Sequence, residues 1–357
     1  MVHERQRTTR ITLRSTAMTT GLPRRHFLTA VAAGSVAAGS VAAGSVAAGS
    51  VAAGSVAAAK ATAHQPAAAD PSREVRLERL WPREIEAAMQ ACGTLFQPLG
   101  TVEWHGLHNI VGLDAIKAQH LCVRAAQRGG GLVAPPVYGG VGGVDQPHTF
   151  VIEPDTDVHS VLLRGWLERL AREAVRQGFR AVVFLTGHYG ADQQMVVRDT
   201  AVRLSRALGI PVLGTPEYFL ALDVGYHGDH AAWGETALML YLDPASVDLS
   251  RLGTPPHQGV GGRDPREATV EDGKLLAETI IGRLAQLAAR MPQWDRATLQ
   301  RFIAAEAALV NRQVGRAAEN RQSWAAWQHI GAGVFNDYGR LLADEQFEAI
   351  AELTGKL

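Results

Sequence analysis

Between Pro98 and Asp114 the chain reads Pro-Leu-Gly-Thr-Val-Glu-Trp-His-Gly-Leu-His-Asn-Ile-Val-Gly-Leu-Asp, which sets Glu103, His105, His108 and Asp114 within twelve positions. Two carboxylates and two imidazoles are donors of the kind that hold a divalent cation such as Zn, Mn or Fe. Glu103 and His105 are two apart, so on an extended backbone both side chains leave from one face. Asp114 stands where a helical pattern begins. The same residues would also suit a polar surface loop with Asp114 capping the next helix.

Two further stretches carry donors. Thr186-Gly187-His188-Tyr189-Gly190 follows an apolar run, and Tyr226-His227-Gly228-Asp229-His230 is followed by Glu235 and Thr236. His230 and Glu235 are five apart, which suits a loop imidazole and a carboxylate in the first turn of a helix. That carboxylate would equally offset the helix dipole, and His230 alone could be an ordinary polar loop residue. Covalent catalysis is disfavoured. No Gly-x-Ser-x-Gly elbow is present, and Cys92 and Cys122, the only cysteines, fall in no metal or catalytic motif and read as buried apolar residues.

The elements that must position these residues alternate in type. Arg83 to Ala91 reads as a helix. Thr94 to Leu99 reads as a short buried strand that delivers the chain into the first cluster. Asp114 to Arg128 reads as a helix stopped at Gly129-Gly130-Gly131, and Leu132 to Pro136 as a strand. Tyr138 to His148 is a Gly-rich loop that holds Asp145 and His148. Asp157 to Gln177 is an amphipathic helix with Val158, Val161, Leu162, Trp166, Leu170, Ala174 and Val175 at helical spacing. Arg180 to Leu185 is almost continuously apolar, as a strand covered on both faces requires. A helix over Asp192 to Leu208, a strand over Ile210 to Gly214 and helices over Ala237 to Leu242 and Gly273 to Arg290 follow, and the last sixty residues read as helical. The pattern predicts an α/β layer fold with a largely parallel sheet, in which sites form at the carboxyl ends of strands. Both His-bearing loops fall at such ends.

The ends of the chain bear on its surroundings. Arg24-Arg25 before Phe27-Leu28, then five copies of Val-Ala-Ala-Gly-Ser from Val31 to Ser55 and a small-x-small pattern at Ala61-Thr62-Ala63, fit a twin-arginine export signal over residues 1–63. Gly and Ser at every fifth position make the tract a poor membrane anchor, so the expected location is periplasmic or extracellular with no stable anchor after cleavage. An uncleaved anchor, a low-complexity linker or an upstream start with added repeats are the other readings. Residues 64–79 are expected to be a linker. Removal of residues 1–63 takes away seven of 35 Lys and Arg and one of 35 Asp and Glu, leaving 28 basic and 34 acidic residues, a net of −6. That excess of negative charge argues against nucleic acid as a partner.

Taken in order, the three donor-bearing motifs and a fourth, Gly262-Arg-Asp264-Pro265 through Ala268-Thr269 to Gly273, resemble the creatininase (creatinine amidohydrolase) family over about Leu80 to Arg290. The resemblance implies a single three-layer α/β domain over residues 80–290, with residues 291–357 as a helical C-terminal extension outside the family core. It implies one or two divalent metal ions per subunit, a homohexamer, and hydrolysis of a carbon–nitrogen amide bond in a small molecule. By position, Glu103, His105, Asp114 and His188 would be metal ligands, with Asp114 bridging if two ions bind. Glu235 would be a further carboxylate at the metals, and His230 the residue that protonates the departing nitrogen. Tyr189, Tyr226 and Trp233 would line the substrate.

Two departures stand out. In the motif that holds His188, creatininase resembles Gly-His-Tyr-Glu-Asn, with that Glu on the metal, whereas Gly190 and Ala191 stand here. Creatininase also has Trp four residues before its catalytic His, where this chain has Tyr226. Both point away from creatinine as the substrate, and the first leaves open an exported metal-binding protein without activity.

Overall fold

Four apolar runs pair as a parallel sheet in the order β2-β1-β3-β4, formed by β1 (Thr94–Leu99), β2 (Leu132–Val133), β3 (Ala181–Thr186) and β4 (Val212–Pro216). This computed structural model describes residues 70–357 apart from 145, 152–156, 321–325 and 328–332, and the backbone alone of 157–160. The expected leader with its repeats, Asp145 and the Val158 side chain therefore lie outside the described residues.

Side chains alternate across the strands into two cores. Phe96, Val183, Leu185 and Leu213 face α2 (Leu113–Gly129) and α6 (Val270–Arg290). Leu95, Leu99, Val182, Phe184 and Val212 face α3 (Asp157–Gln177) and α4 (Ala191–Leu208). The result is the predicted layered sheet between helices, and every position of β1, β3 and β4 is buried. The remaining helix of the site is α5 (Trp233–Leu242), while α1 (Pro82–Ala91) leads into β1. Among the described residues no helix is long and apolar enough to cross a membrane.

Several elements depart from the sequence reading. The strand expected to reach Pro136 is regular only over Leu132–Val133, because Pro135 and Pro136 have no N–H to give the ladder. On α3 the packed stripe is Leu163, Leu167, Ala171 and Ala174, whereas Val161, Leu162 and Trp166 are more than half exposed. That helix carries two apolar stripes, and only one meets the sheet. Residues expected in the linker are partly packed: Val75 is fully buried and its carbonyl accepts from the Val133 N–H at 2.8 Å.

The C-terminal helices α7 (Arg296–Asn320), α8 (Tyr338–Ala343) and α9 (Phe347–Gly355) share the first core, through Phe302, Leu309, Tyr338, Phe347 and Ile350. A buried ion pair ties α7 to α4, with Arg198 Nη2 at 3.0 Å from Glu306 Oε2.

The register of β1 against β3 converges the two loops. Leu99 stands opposite Thr186, and the Gly187 N–H donates to the Leu99 carbonyl at 2.8 Å, so the Glu103 and His188 loops leave the sheet side by side. The first turn of α2 closes on both. A Cβ at Gly100 would lie 2.2 Å from Ala115 N, and one at Gly187 would lie 2.2 Å from the Asp114 carbonyl. Glycine at these two positions is what allows Asp114 between the loops.

Candidate metal centre

Three groups of donors, each within 4.8 Å of one another, overlap at the carboxyl edge of the sheet: Glu103, His105 and His230; Glu103, Asp114 and His188; and His105, Asp114 and Glu235. Asp114 is common to two of them. Its Oδ1 lies 3.1 Å from His105 Nε2 and its Oδ2 lies 3.1 Å from His188 Nδ1. Glu103 Oε2 is 2.9 Å from His188 Nδ1, and Glu235 Oε2 is 3.5 Å from His105 Nε2.

The outer hydrogen bonds fix which nitrogen faces inward. His105 Nδ1 lies 2.9 Å from the Glu103 carbonyl, and His188 Nε2 lies 2.8 Å from the Gly142 carbonyl. A carbonyl only accepts, so those nitrogens carry the hydrogens. The neutral rings then turn lone pairs, at His105 Nε2 and His188 Nδ1, toward carboxylate oxygens. This is the usual outer support of a metal-bound imidazole. His105 Nε2 and Glu103 Oε2 are also buried without a hydrogen-bond partner of acceptable geometry.

Lone pairs and anions converging in a volume closed to water require compensating positive charge. Protons can supply it in part. Burial depresses His105, but the charges of Asp114 and Glu235 outweigh it and lift its pKa to about 9. Burial likewise opposes protonation of His188, and the facing carboxylates of Asp114 and Glu103 drive its pKa well above the usual imidazole value. Burial would raise Asp114, yet the facing His105 holds it far below the normal carboxylate range. A divalent cation on the same nitrogens and oxygens meets this demand with one particle, and the N/O donor set suits Zn, Mn or Fe.

Not every expected residue joins the cluster. His108 turns toward Thr236, with Nε2 at 3.0 Å from Oγ1, and burial together with the charge of His257 lowers its pKa to about 4. His148 is exposed and stacks on Trp104. His230 is half-buried at the open side, its ring 4.4 Å from that of His105 and its Nε2–H donating to the Trp104 carbonyl at 2.8 Å. Of the three aromatic residues expected to line a substrate, Tyr226 is fully buried, in space that Gly234 leaves for its ring. Its hydroxyl pairs with that of half-buried Tyr189 at 2.9 Å, and Trp233 Nε1 donates to Asp272.

Three residues of the site were not picked out from the sequence. Lys117 is fully buried between Glu235 and Glu217, and Asp229 accepts from the N–H groups of Gly234 and Glu235 at the start of α5. Signals existed. Lys117 lies three after Asp114, on the same helix face, and Glu217 follows β4 at its carboxyl end.

The family model described as creatinine amidohydrolase matches residues 78–288. This chain belongs to the creatininase family. The creatinine amidohydrolase of Pseudomonas putida is 30% identical over 260 residues, which cover 60% of this chain and 96% of that protein. A crystal structure of creatinine amidohydrolase superposes with a TM-score of 0.52 at 27% identity, covering 62% of this chain and all of the other. A manganese form of creatininase superposes at 0.51 and 28% identity, and a mutant creatininase of Zn–Zn type at 0.51 and 27%, each covering 62% of this chain and 100% of the other. The family's matched segment takes in all the residues of the three donor groups, and the C-terminal helices α7 to α9 lie beyond it.

Proposed function

We propose that the chain is a metal-dependent amidohydrolase that cleaves a carbon–nitrogen amide bond in a small cyclic amide, formamide or peptide-like molecule. The observation that carries this reading is the set of three overlapping donor groups around Asp114. Glu103, His105, Asp114, His188 and Glu235 would hold one or two cations, with Asp114 between them. Zinc and manganese are favoured by the forms in which related creatininases have been solved. A bound cation would supply water acidified toward neutrality and would polarise the scissile carbonyl.

The residues divide the remaining work. The Gly142 and Glu103 carbonyls orient the two imidazoles, and β1, β3 and α2 exclude bulk water from the inner side. His230 stands at the open side, where a substrate would enter. With Nε2–H given to Trp104, its Nδ1 is the basic nitrogen that can carry a proton to the departing amine. Export through the twin-arginine pathway to the periplasm or exterior belongs to this reading. So does assembly as a homo-oligomer, a hexamer by family resemblance, for which exposed Val161, Leu162 and Trp166 offer an apolar face.

Turnover of a panel of cyclic amides, lactams and formamides tests the proposal. Activity should vanish on chelation and return with Zn or Mn. A fully metal-loaded protein that turns over none of them would instead be an exported metal-binding protein, the reading that Gly190 leaves open.

A further inference from the structure

Lys117 is a buried charge that the proposed chemistry leaves unused. It stands on α2, one turn beyond Asp114, and is 0% exposed. Its Nζ lies 2.5 Å from Glu235 Oε1, 2.8 Å from Glu217 Oε1 and 3.0 Å from the Tyr189 hydroxyl. Tyr189 also donates to Glu217. A buried ammonium is tolerated only where anions and hydrogen bonds surround it, and here two carboxylates and a phenol do so.

The consequence falls on Glu235. Its Oε1 is fixed by Lys117, and its Oε2 accepts from the Ala231 N–H at 2.8 Å. Ala231 holds φ at +52°, a conformation that residues with a Cβ seldom adopt, and that turn aims its N–H at the carboxylate. Gripped from both ends, Glu235 presents Oε2 to His105 Nε2 and completes the group with Asp114. The facing loop cannot supply this carboxylate, because a side chain at Gly190 would begin 2.6 Å from both His188 Nε2 and the Val141 carbonyl.

We infer that Lys117 is the positioning residue that makes Glu235 a metal ligand: the carboxylate comes from α5 and is fastened from α2. This deepens the metal-dependent reading above and rests on it.

Lys117→Met alone would leave Glu217 and Glu235 buried without their cation and could prevent folding. The paired variant Lys117→Met/Glu217→Gln removes one charge of each sign. Metal-stripped full-length protein is titrated with Mn²⁺ and with Zn²⁺ by calorimetry, beside Glu235→Gln, with near-UV circular dichroism to follow folding. The expected result is a folded paired variant in which one metal equivalent binds 10- to 100-fold more weakly, the range for loss of an outer-shell partner, and loss of that same equivalent in Glu235→Gln. Lys117→Arg keeps the charge on a larger planar head and should weaken the same equivalent should the paired variant not fold. If Glu235→Gln loses the equivalent but the Lys117 variants bind as the unmodified chain does, the role of Lys117 is overturned and the metal reading stands. If Glu235→Gln also binds normally, Glu235 is not a ligand and the inference falls with it. An unmodified chain that binds neither ion overturns the metal reading itself.

Discussion

Gly190 presses its Cα against His188 so closely that a Cβ there would lie 2.6 Å from His188 Nε2. That nitrogen donates to the Gly142 carbonyl, and the Val141 carbonyl stands equally near the absent Cβ. With φ at −48° the backbone of Gly190 is ordinary, so the requirement is for space alone. Gly190→Ala must displace the imidazole or the Val141 backbone, an overpacking cost of about 1–3 kcal/mol. We expect a lower melting temperature together with weaker binding of Zn²⁺ or Mn²⁺. An unchanged melting temperature and unchanged affinity would mean that the His188 loop adapts freely.

Asp114 is the residue expected to touch every bound ion. Asp114→Ala should lower metal content, read by elemental analysis, and abolish turnover, while near-UV circular dichroism stays native. The fold should survive because both cores lie on the strands and helices around Asp114 and not on its side chain. Full metal content in this variant would remove Asp114 from the site.

His108 gives a pH dependence of definite sign. Its folded pKa, about 4, is below the unfolded value of about 6.5, so the unfolded chain binds the extra proton. The contribution of neutral His108 is fully present above pH 6.5 and is lost as pH falls toward 4. Burial is the main cause; His257 and His105 add like charge, while Glu235 and the Ala231 backbone oppose the shift. In metal-free protein the urea midpoint should drop over this window, and His108→Gln should flatten the drop. Identical profiles would assign the acid sensitivity to other groups.

The C-terminal helices should not be dispensable. Glu306 accepts from Arg198 at 3.0 Å and from the Tyr338 hydroxyl at 2.8 Å, joining α4, α7 and α8 in one buried cluster. Glu306→Ala leaves Arg198 buried without its anion, and breaking such a pair costs about 3–5 kcal/mol. Urea unfolding measures this. A loss under about 1 kcal/mol would show that apolar contacts alone dock the helices.

Export is expected to depend on Arg24 and Arg25. Replacing both by lysine should hold the protein in the cytoplasm, scored by fractionation and immunoblot. A double variant that still reaches the exterior would discard the twin-arginine reading.

What the sequence determined was local chemistry and periodicity. The buried strand Thr94–Leu99 was readable to the residue and the long helix to its end at Gln177, because an apolar run or a 3.6-residue period is a property of neighbours in the chain. Donor types and their order were equally visible, so Glu103, His105, Asp114 and His188 could be grouped by motif before any contact was known. Tertiary structure decided what depends on residues far apart in sequence. Only the pairing of Leu99 with Thr186 brings the Glu103 and His188 stretches together, and only the packing of α2 and α5 sets Lys117 beside Glu235. His108 shares the residue type and neighbourhood of His105, yet its ring faces Thr236. The two stripes of α3 are alike in hydropathy, and the sheet covers one. In each case the choice is made by contacts between residues distant in the chain: strand register sets Leu99 against Thr186, and the close approach at Gly100 and Gly187 admits Asp114 between the loops.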